Sequence, residues 1–219
     1  MNRSHFTMLA VAVAAGVATA SPVQVQVTGE VDYAVVRQGP LSAVHSGDAV
    51  TMTFLVDSSS YVDSMNYPVR GYTIDTSSFS LTMGSVTIGF QNPYPAGDTP
   101  MFAIRNNDPA VDGFYMTSSV TNLDWPIDQP LSEDGFFGPF GNAFATSYDG
   151  SMLSSLDIMG ALGTYDYTGM GSFNWGVDDD SFMPIGFIFE QMTISSVPAP
   201  STMIVGAAPL ALLARRRRN

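Results

Sequence analysis

Hydrophobic and polar residues alternate along much of this 219-residue chain, and this alternation limits the fold more than any other feature of the sequence. Runs of this kind occupy 23–35, 50–56, 79–90, 101–104, 114–120 and 185–194. Alternation over about four to eight residues is typical of strands that bury one face. Turn-forming Gly, Pro, Asn, Asp and Ser separate the runs. The pattern predicts an all-β protein, and we expect an antiparallel two-sheet β-sandwich or jelly roll.

One short helix is compatible with the pattern. Ser151 stands where a helix N-cap is needed, and Leu153 and Leu156 follow at helical spacing. Gly163 supplies a C-terminal stop, although Gly160 lies inside the segment and weakens it. The sequence therefore predicts at most one helix in the body, over 152–162.

The first 20 residues have the three parts of a secretory signal peptide. Arg3 lies in a short polar start, 8–17 is an apolar run with one glycine, and Ala18-Thr19-Ala20 has small residues before Ser21. The apolar run is shorter than the roughly 20 residues that a membrane span needs. We expect cleavage after position 20 and export of the chain from Ser21 onward.

The last 23 residues combine three further features. An extended segment at 197–202 begins with Val197, Pro198, Ala199 and Pro200. An apolar stretch covers 203–214, and the chain then carries Arg215, Arg216, Arg217 and Arg218. As a helix the stretch would reach about 18 Å, against a hydrocarbon core of about 30 Å. Four arginines after an apolar segment remain on the cytoplasmic side and act as a stop.

This order of parts resembles the PEP-CTERM sorting domain of exported bacterial proteins. Ala199 stands where that family most often has glutamate. The resemblance covers 197–219 alone, and it implies a short transmembrane sorting helix, an exosortase-type membrane enzyme as partner, and a membrane-tethered precursor that ends at the cell surface or in the extracellular matrix. An ordinary single-span anchor with a proline-rich entry is the alternative.

Between the two signals lies a body, 21–196, that we interpret as one domain. It contains three of the eight arginines and all 20 acidic residues, a formal charge of −17, and the chain has no lysine. We expect no binding to nucleic acid, because such binding depends on Lys and Arg side chains that neutralise phosphates. The chain has no cysteine, so disulfides, thiolate metal sites and thiol nucleophiles are absent.

Catalytic residues are scarce in the body. His45 is its one histidine, it lies in a turn-like stretch, and no G-x-S-x-G motif accompanies it. Paired carboxylates of the glycosidase type would have to come from aspartates or from Glu30, Glu133 and Glu190. Glu190 lies in an apolar run, and we expect it to face outward from a strand. No catalytic residue is assigned, and the protein is expected not to be an enzyme.

No cofactor is expected, with calcium as the one ion that the composition suits. Turn oxygens of carboxylates and amides match a hard cation, although neither loop has EF-hand spacing. The candidate ligands are Asn106, Asn107, Asp108 and Asp112 in one loop and Asp178, Asp179 and Asp180 in another. Solvated turns are the competing interpretation.

The aromatic residues raise the question of whether the protein binds carbohydrate. Exposed rings could stack on sugars, whereas buried rings fill a core. Trp175 is expected in the core, and the sequence does not decide between the two for Trp125.

Taken together, these features lead us to expect an exported, non-enzymatic surface or matrix protein, with an extracellular polysaccharide as a possible partner. The alternative is a secreted carbohydrate-binding domain or a two-carboxylate hydrolase.

Overall fold

The computed structural model describes residues 21–118, 140–179 and 182–198. Most of them lie in eleven antiparallel strands. These are β1 (Pro22–Ala34), β2 (Ala49–Asp63), β3 (Val69–Ile74), β4 (Ser80–Met83), β5 (Val86–Ile88), β6 (Pro100–Arg105), β7 (Val111–Ser118), β8 (Gly141–Asp149), β9 (Gly163–Tyr165), β10 (Met170–Asp178) and β11 (Ile185–Ser196).

Eight strands form a closed β-barrel in the order β1-β11-β10-β8-β7-β6-β3-β2, and pairing of β2 with β1 completes the ring. The expected sandwich or jelly roll is therefore wrong. A sandwich needs two sheets with free edges, whereas β1 pairs along most of its length with β11 on one side and β2 on the other. Alternation specifies only that each strand has one buried face, and a closed sheet satisfies this as well as two packed sheets do.

The smaller strands extend the barrel wall. β4 pairs with the first part of β2, and β5 pairs with β4. β10 and β11 share only two residue pairs, after which β9 pairs with β11 instead. Tyr167 and Phe173 pack against Phe189 beside this gap, with ring centroids 5.8 and 6.1 Å away. Aromatic side chains thus contribute to closing the wall where backbone pairing stops.

The barrel interior is filled by large apolar side chains. Phe102 lies between Phe54 and Phe114, with ring centroids 5.5 and 5.8 Å apart, and Phe114 contacts Tyr165 at 4.7 Å. Trp175 is 2% exposed, which confirms its expected place in the core. The residues that alternate in the sequence with these apolar side chains point out of the wall.

The predicted helix over 152–162 is wrong. This segment contains only a 3₁₀ turn, Ile158–Ala161, which Asp157 rather than Ser151 caps. Two of its backbone amides bond to groups on the barrel strands. The Leu153 amide donates to Asp112, and the Ile158 amide donates to the Tyr72 hydroxyl at 2.9 Å. These contacts compete with helical hydrogen bonds, and they leave the segment packed against the barrel.

No helix in the described part of the chain is both long and apolar enough to cross a membrane. The predicted signal peptide, 1–20, and the predicted sorting helix, 203–214, lie outside the described residues, as do Ala199, Pro200 and the arginine cluster. The barrel ends close to the predicted domain boundary, where the Val197 amide donates to the Pro22 carbonyl at 2.9 Å. Pro198 is the last residue described.

Candidate functional site

Arg105, the last residue of β6, lies across the outside of the barrel wall. In the sheet it is paired with Gly113 of β7, and Gly113 is in turn paired with Ser147 of β8. The Arg105 side chain runs over Gly113 and donates from Nη2 to Ser147 Oγ at 2.7 Å. A Cβ on Gly113 would lie 3.2 Å from that Nη2, so the glycine leaves room for the arginine to lie flat.

A groove lies on both sides of Arg105. One cavity of about 380 Å³ is bounded by Tyr115, Asn174 and the small side chains of Ala143 and Ala145. A second cavity of about 600 Å³ extends towards Asp149 and the first residues of β10, and Arg105 and Ser147 line both. We call these two cavities and the arginine between them the outer groove. Its floor is recessed because the outward residues of β8 are Ala and Ser.

Arg105 forms no ion pair with another described residue. The ion pairs in this part of the chain are Arg70 with Asp63 and, more loosely, His45 with Asp48. Arg105 Nε is buried and makes no hydrogen bond. A half-buried cation without an anionic partner is less well solvated than it would be in water, which makes it a natural anion-binding group.

Arg70 shows how the same side chain behaves when it is paired. Its Nε and Nη2 donate to the two Asp63 carboxylate oxygens at 2.5 and 2.9 Å, and its guanidinium lies 3.9 Å from the Tyr61 ring centroid. The hydrogen bond from Arg70 lowers the pKa of Asp63. Arg105 has no such arrangement.

The outer groove also contains neutral hydrogen-bonding groups. Burial raises the pKa of Tyr115, an effect that the nearby Arg105 partly opposes, so the phenol stays protonated at neutral pH. Ser147, Ser172 and Asn174 add hydroxyl and amide groups along the walls. One cation, one aromatic ring and several small polar groups can bind a hydroxylated ligand with a negative group.

The buried polar groups of the barrel interior have a structural role. The Asn142 amide donates to the sulfur atoms of Met52 and Met116 at 3.4 Å, while its Oδ1 has no partner. Tyr148 Oη and Trp175 Nε1 are likewise buried without a partner, and burial raises the pKa of Tyr148. Asn142 lies against two methionines, and Tyr148 and Trp175 pack against other aromatic rings, so the outer groove is the better candidate site.

The candidate calcium ligands of the first loop form hydrogen bonds with one another and with the backbone. Asp112 is fully buried, and its two carboxylate oxygens accept the backbone amides of Asn107 at 2.9 Å and Leu153 at 2.6 Å. Asn107 donates its side-chain amide to Asn106. Across 21–118, 140–179 and 182–198, no group of three or more His, Asp or Glu side chains is placed to hold a metal ion.

In the second predicted calcium loop, Asp179 accepts the Phe182 amide at 2.8 Å, and Asp178 is the last residue of β10. Asp180 lies outside the described residues. Asp112 therefore holds two loops against the barrel, and the Asp179 carboxylate bonds within its own loop.

The remaining candidates lie apart from the outer groove. Glu190 and Glu30 are exposed on β11 and β1, and the outward orientation expected for Glu190 is confirmed. His45 is exposed in a turn, 4.0 Å from Asp48. Glu133 and Trp125 lie outside the described residues.

Arg105 was not predicted as a site residue. A signal was nevertheless present, because Ala143, Ala145 and Ser147 place three small residues on one face of a strand. Large outward side chains would have filled this part of the wall. The strand that lies beside them could not be known from the sequence.

The chain matches no protein-family model, and neither curated proteins nor solved structures include a significantly similar one. The geometry and chemistry of the outer groove are therefore the basis for assigning a function.

Proposed function

We propose that the protein is an exported, non-enzymatic component of the cell surface or extracellular matrix, and that its barrel binds an extracellular polysaccharide in the outer groove. The observation that supports this most is Arg105, a cation that forms no ion pair among the described residues, set in a recess with hydroxyl, amide and aromatic groups. The C-terminal segment, which resembles a PEP-CTERM signal, would deliver the barrel through an exosortase-type enzyme.

Binding without hydrolysis fits the groove better than glycosidase activity does. Hydrolysis of the usual kind needs two carboxyl groups about 5–10 Å apart, one of them protonated. Among the described residues that line the outer groove, Asp149 alone carries a carboxylate. Hydrogen bonds from Ser151 lower the pKa of Asp149, which keeps it ionised and unsuited to donate a proton.

We expect the purified full-length protein to retain bacterial exopolysaccharides and plant or algal uronans in a glycan-binding assay and to release no reducing ends from them. Ala145→Trp should reduce binding at least tenfold, because the indole would occupy the recess. Thr82→Trp, an outward change on β4, is the matched control and should bind as the unmodified protein does. Release of reducing ends would contradict the non-enzymatic assignment.

The sorting part of the proposal predicts a processed C-terminus. Mass spectrometry of the protein recovered from its native host should find that the stable product lacks Arg215 to Arg218. Replacing the four arginines with neutral residues should let a share of the chain pass through the membrane unprocessed, since the cytoplasmic stop is lost. If the stable product of the unmodified protein keeps all four arginines, the segment is an ordinary anchor.

A further inference from the structure

We propose that the outer groove recognises the carboxylate of an acidic sugar, with Arg105 as the residue that distinguishes a uronic acid from its neutral counterpart. This inference rests on the proposed polysaccharide-binding function and names the class of polysaccharide. Arg70 and Arg105, which lie in the same domain, differ in their hydrogen-bond partners. Arg70 is paired through two hydrogen bonds with Asp63, whereas Arg105 is bonded only to the neutral hydroxyl of Ser147 in the described structure.

The geometry suits a carboxylate. A guanidinium presents its donors in a planar fork that matches the two oxygens of a carboxylate. The Ser147 hydroxyl holds Nη2, which orients the plane over Gly113 and between the two cavities. The Arg105 Nε, buried and without a partner, leaves hydrogen-bonding capacity unused.

Charge favours a carboxylate over a phosphate. The body carries a formal charge of −17, and the groove contains one cation and, at its far end, the ionised Asp149. A dianionic phosphate would meet more repulsion from this protein, and phosphate sites usually combine several donors or cations. Long-range repulsion of a single carboxylate is screened beyond about 8 Å at physiological salt, whereas the contact with Arg105 is not.

The neighbouring groups favour a sugar over an acidic peptide. Ser147, Ser172 and Asn174 can exchange hydrogen bonds with ring hydroxyls, and Tyr115 adds both a ring and a protonated phenol. The recess is open and floored by small side chains, so it lacks the deep apolar pocket that would hold a large peptide side chain. These features fit a chain of hydroxylated rings that carry single carboxylates.

The test compares oligogalacturonate trimers with the same trimers fully methyl-esterified, which removes the charge and keeps the sugar backbone. Binding to the full-length protein is measured by calorimetry at physiological salt. We expect the acid to bind at least tenfold more tightly than the ester. Arg105→Gln should abolish this preference, and Arg105→Lys should restore part of it, because charge returns without the planar fork.

Arg37→Gln is the matched control, since it removes the same charge from an exposed position outside the outer groove. It should leave the preference for the acid intact. Circular dichroism verifies that each variant is folded. If Arg105→Gln does not fold, Arg105→Lys, which retains the positive charge, still tests whether the planar guanidinium is needed.

Three outcomes would overturn the inference. Equal binding of acid and ester by the unmodified protein would remove the role of the carboxylate while the polysaccharide function stands. Equal binding of an aspartate-containing tripeptide would make the site a general carboxylate site. Failure to bind any glycan in the panel would contradict the proposed function itself, and the inference with it.

Discussion

Replacing Asp112 with alanine is expected to lower the free energy of unfolding by about 3–5 kcal/mol, because one buried and one partly buried amide would lose their acceptor. These amides belong to Asn107 and Leu153, which lie in the two loops next to the ends of β7 and β8. Asp112→Asn keeps one acceptor oxygen, so it should cost roughly half as much. Denaturant unfolding, followed by tryptophan fluorescence, measures both changes.

Asp75→Ala is the control for this prediction. Asp75 also accepts hydrogen bonds, from the amide and the hydroxyl of Ser77, but it is exposed, so water can replace the lost acceptor. Its removal should cost about 1 kcal/mol. If Asp112→Ala costs no more than Asp75→Ala, then Asp112 does not hold the two loops against the barrel.

Replacing Gly29 with alanine is expected to destabilise the barrel by about 3 kcal/mol through overpacking and a forced backbone shift. An added Cβ would lie 2.0 Å from the Ile188 carbonyl oxygen and 2.7 Å from the Trp175 ring. Gly29 also lies at an irregularity in the pairing of β1 with β11, where the register shifts between Thr28 and Gly29. The strand can come this close to its neighbour only without a side chain.

Gly171→Ala is the matched substitution in another strand of the barrel. The nearest atom to its added Cβ is the Ser147 carbonyl oxygen at 3.8 Å, which is ordinary contact. Its melting temperature should stay within a few degrees of that of the unmodified protein. Similar losses in the two variants would show that steric crowding at Gly29 is not the cause.

Much of the secondary structure could be predicted because alternation is a local property. The runs 23–27 and 50–56 lie within β1 and β2, and their valines, Met52 and Phe54 point into the barrel as expected. The segment 152–162 shows the limit of local reasoning. Its spacing fits a helix, but Asp112 and Tyr72 offer hydrogen bonds from distant strands. Such partners cannot be identified within the segment itself.

The candidate site was harder to predict than the strands, because it is formed by residues that are far apart in the sequence. Arg105, Gly113 and Ser147 become neighbours only when β6, β7 and β8 pair in the observed register. A shift of one residue in either pairing would turn the small side chains of β8 away from the arginine. The hydrogen bonds of Asp112 depend on distant residues in the same way, since its carboxylate accepts an amide from a loop about 40 residues further along the chain.

The sequence by itself determined that the body is built mainly of strands, which face of runs such as 23–27 and 50–56 is buried, and the acidic, cysteine-free character of the body. Only the tertiary structure decided that β1 pairs with both β2 and β11, so that the sheet closes into a barrel and an outer groove forms beside Arg105. The reason is physical. A period of two records which side of a strand avoids water, whereas the choice of neighbouring strand depends on twist, register and close approaches such as Gly29 to Ile188, which join residues far apart in the chain.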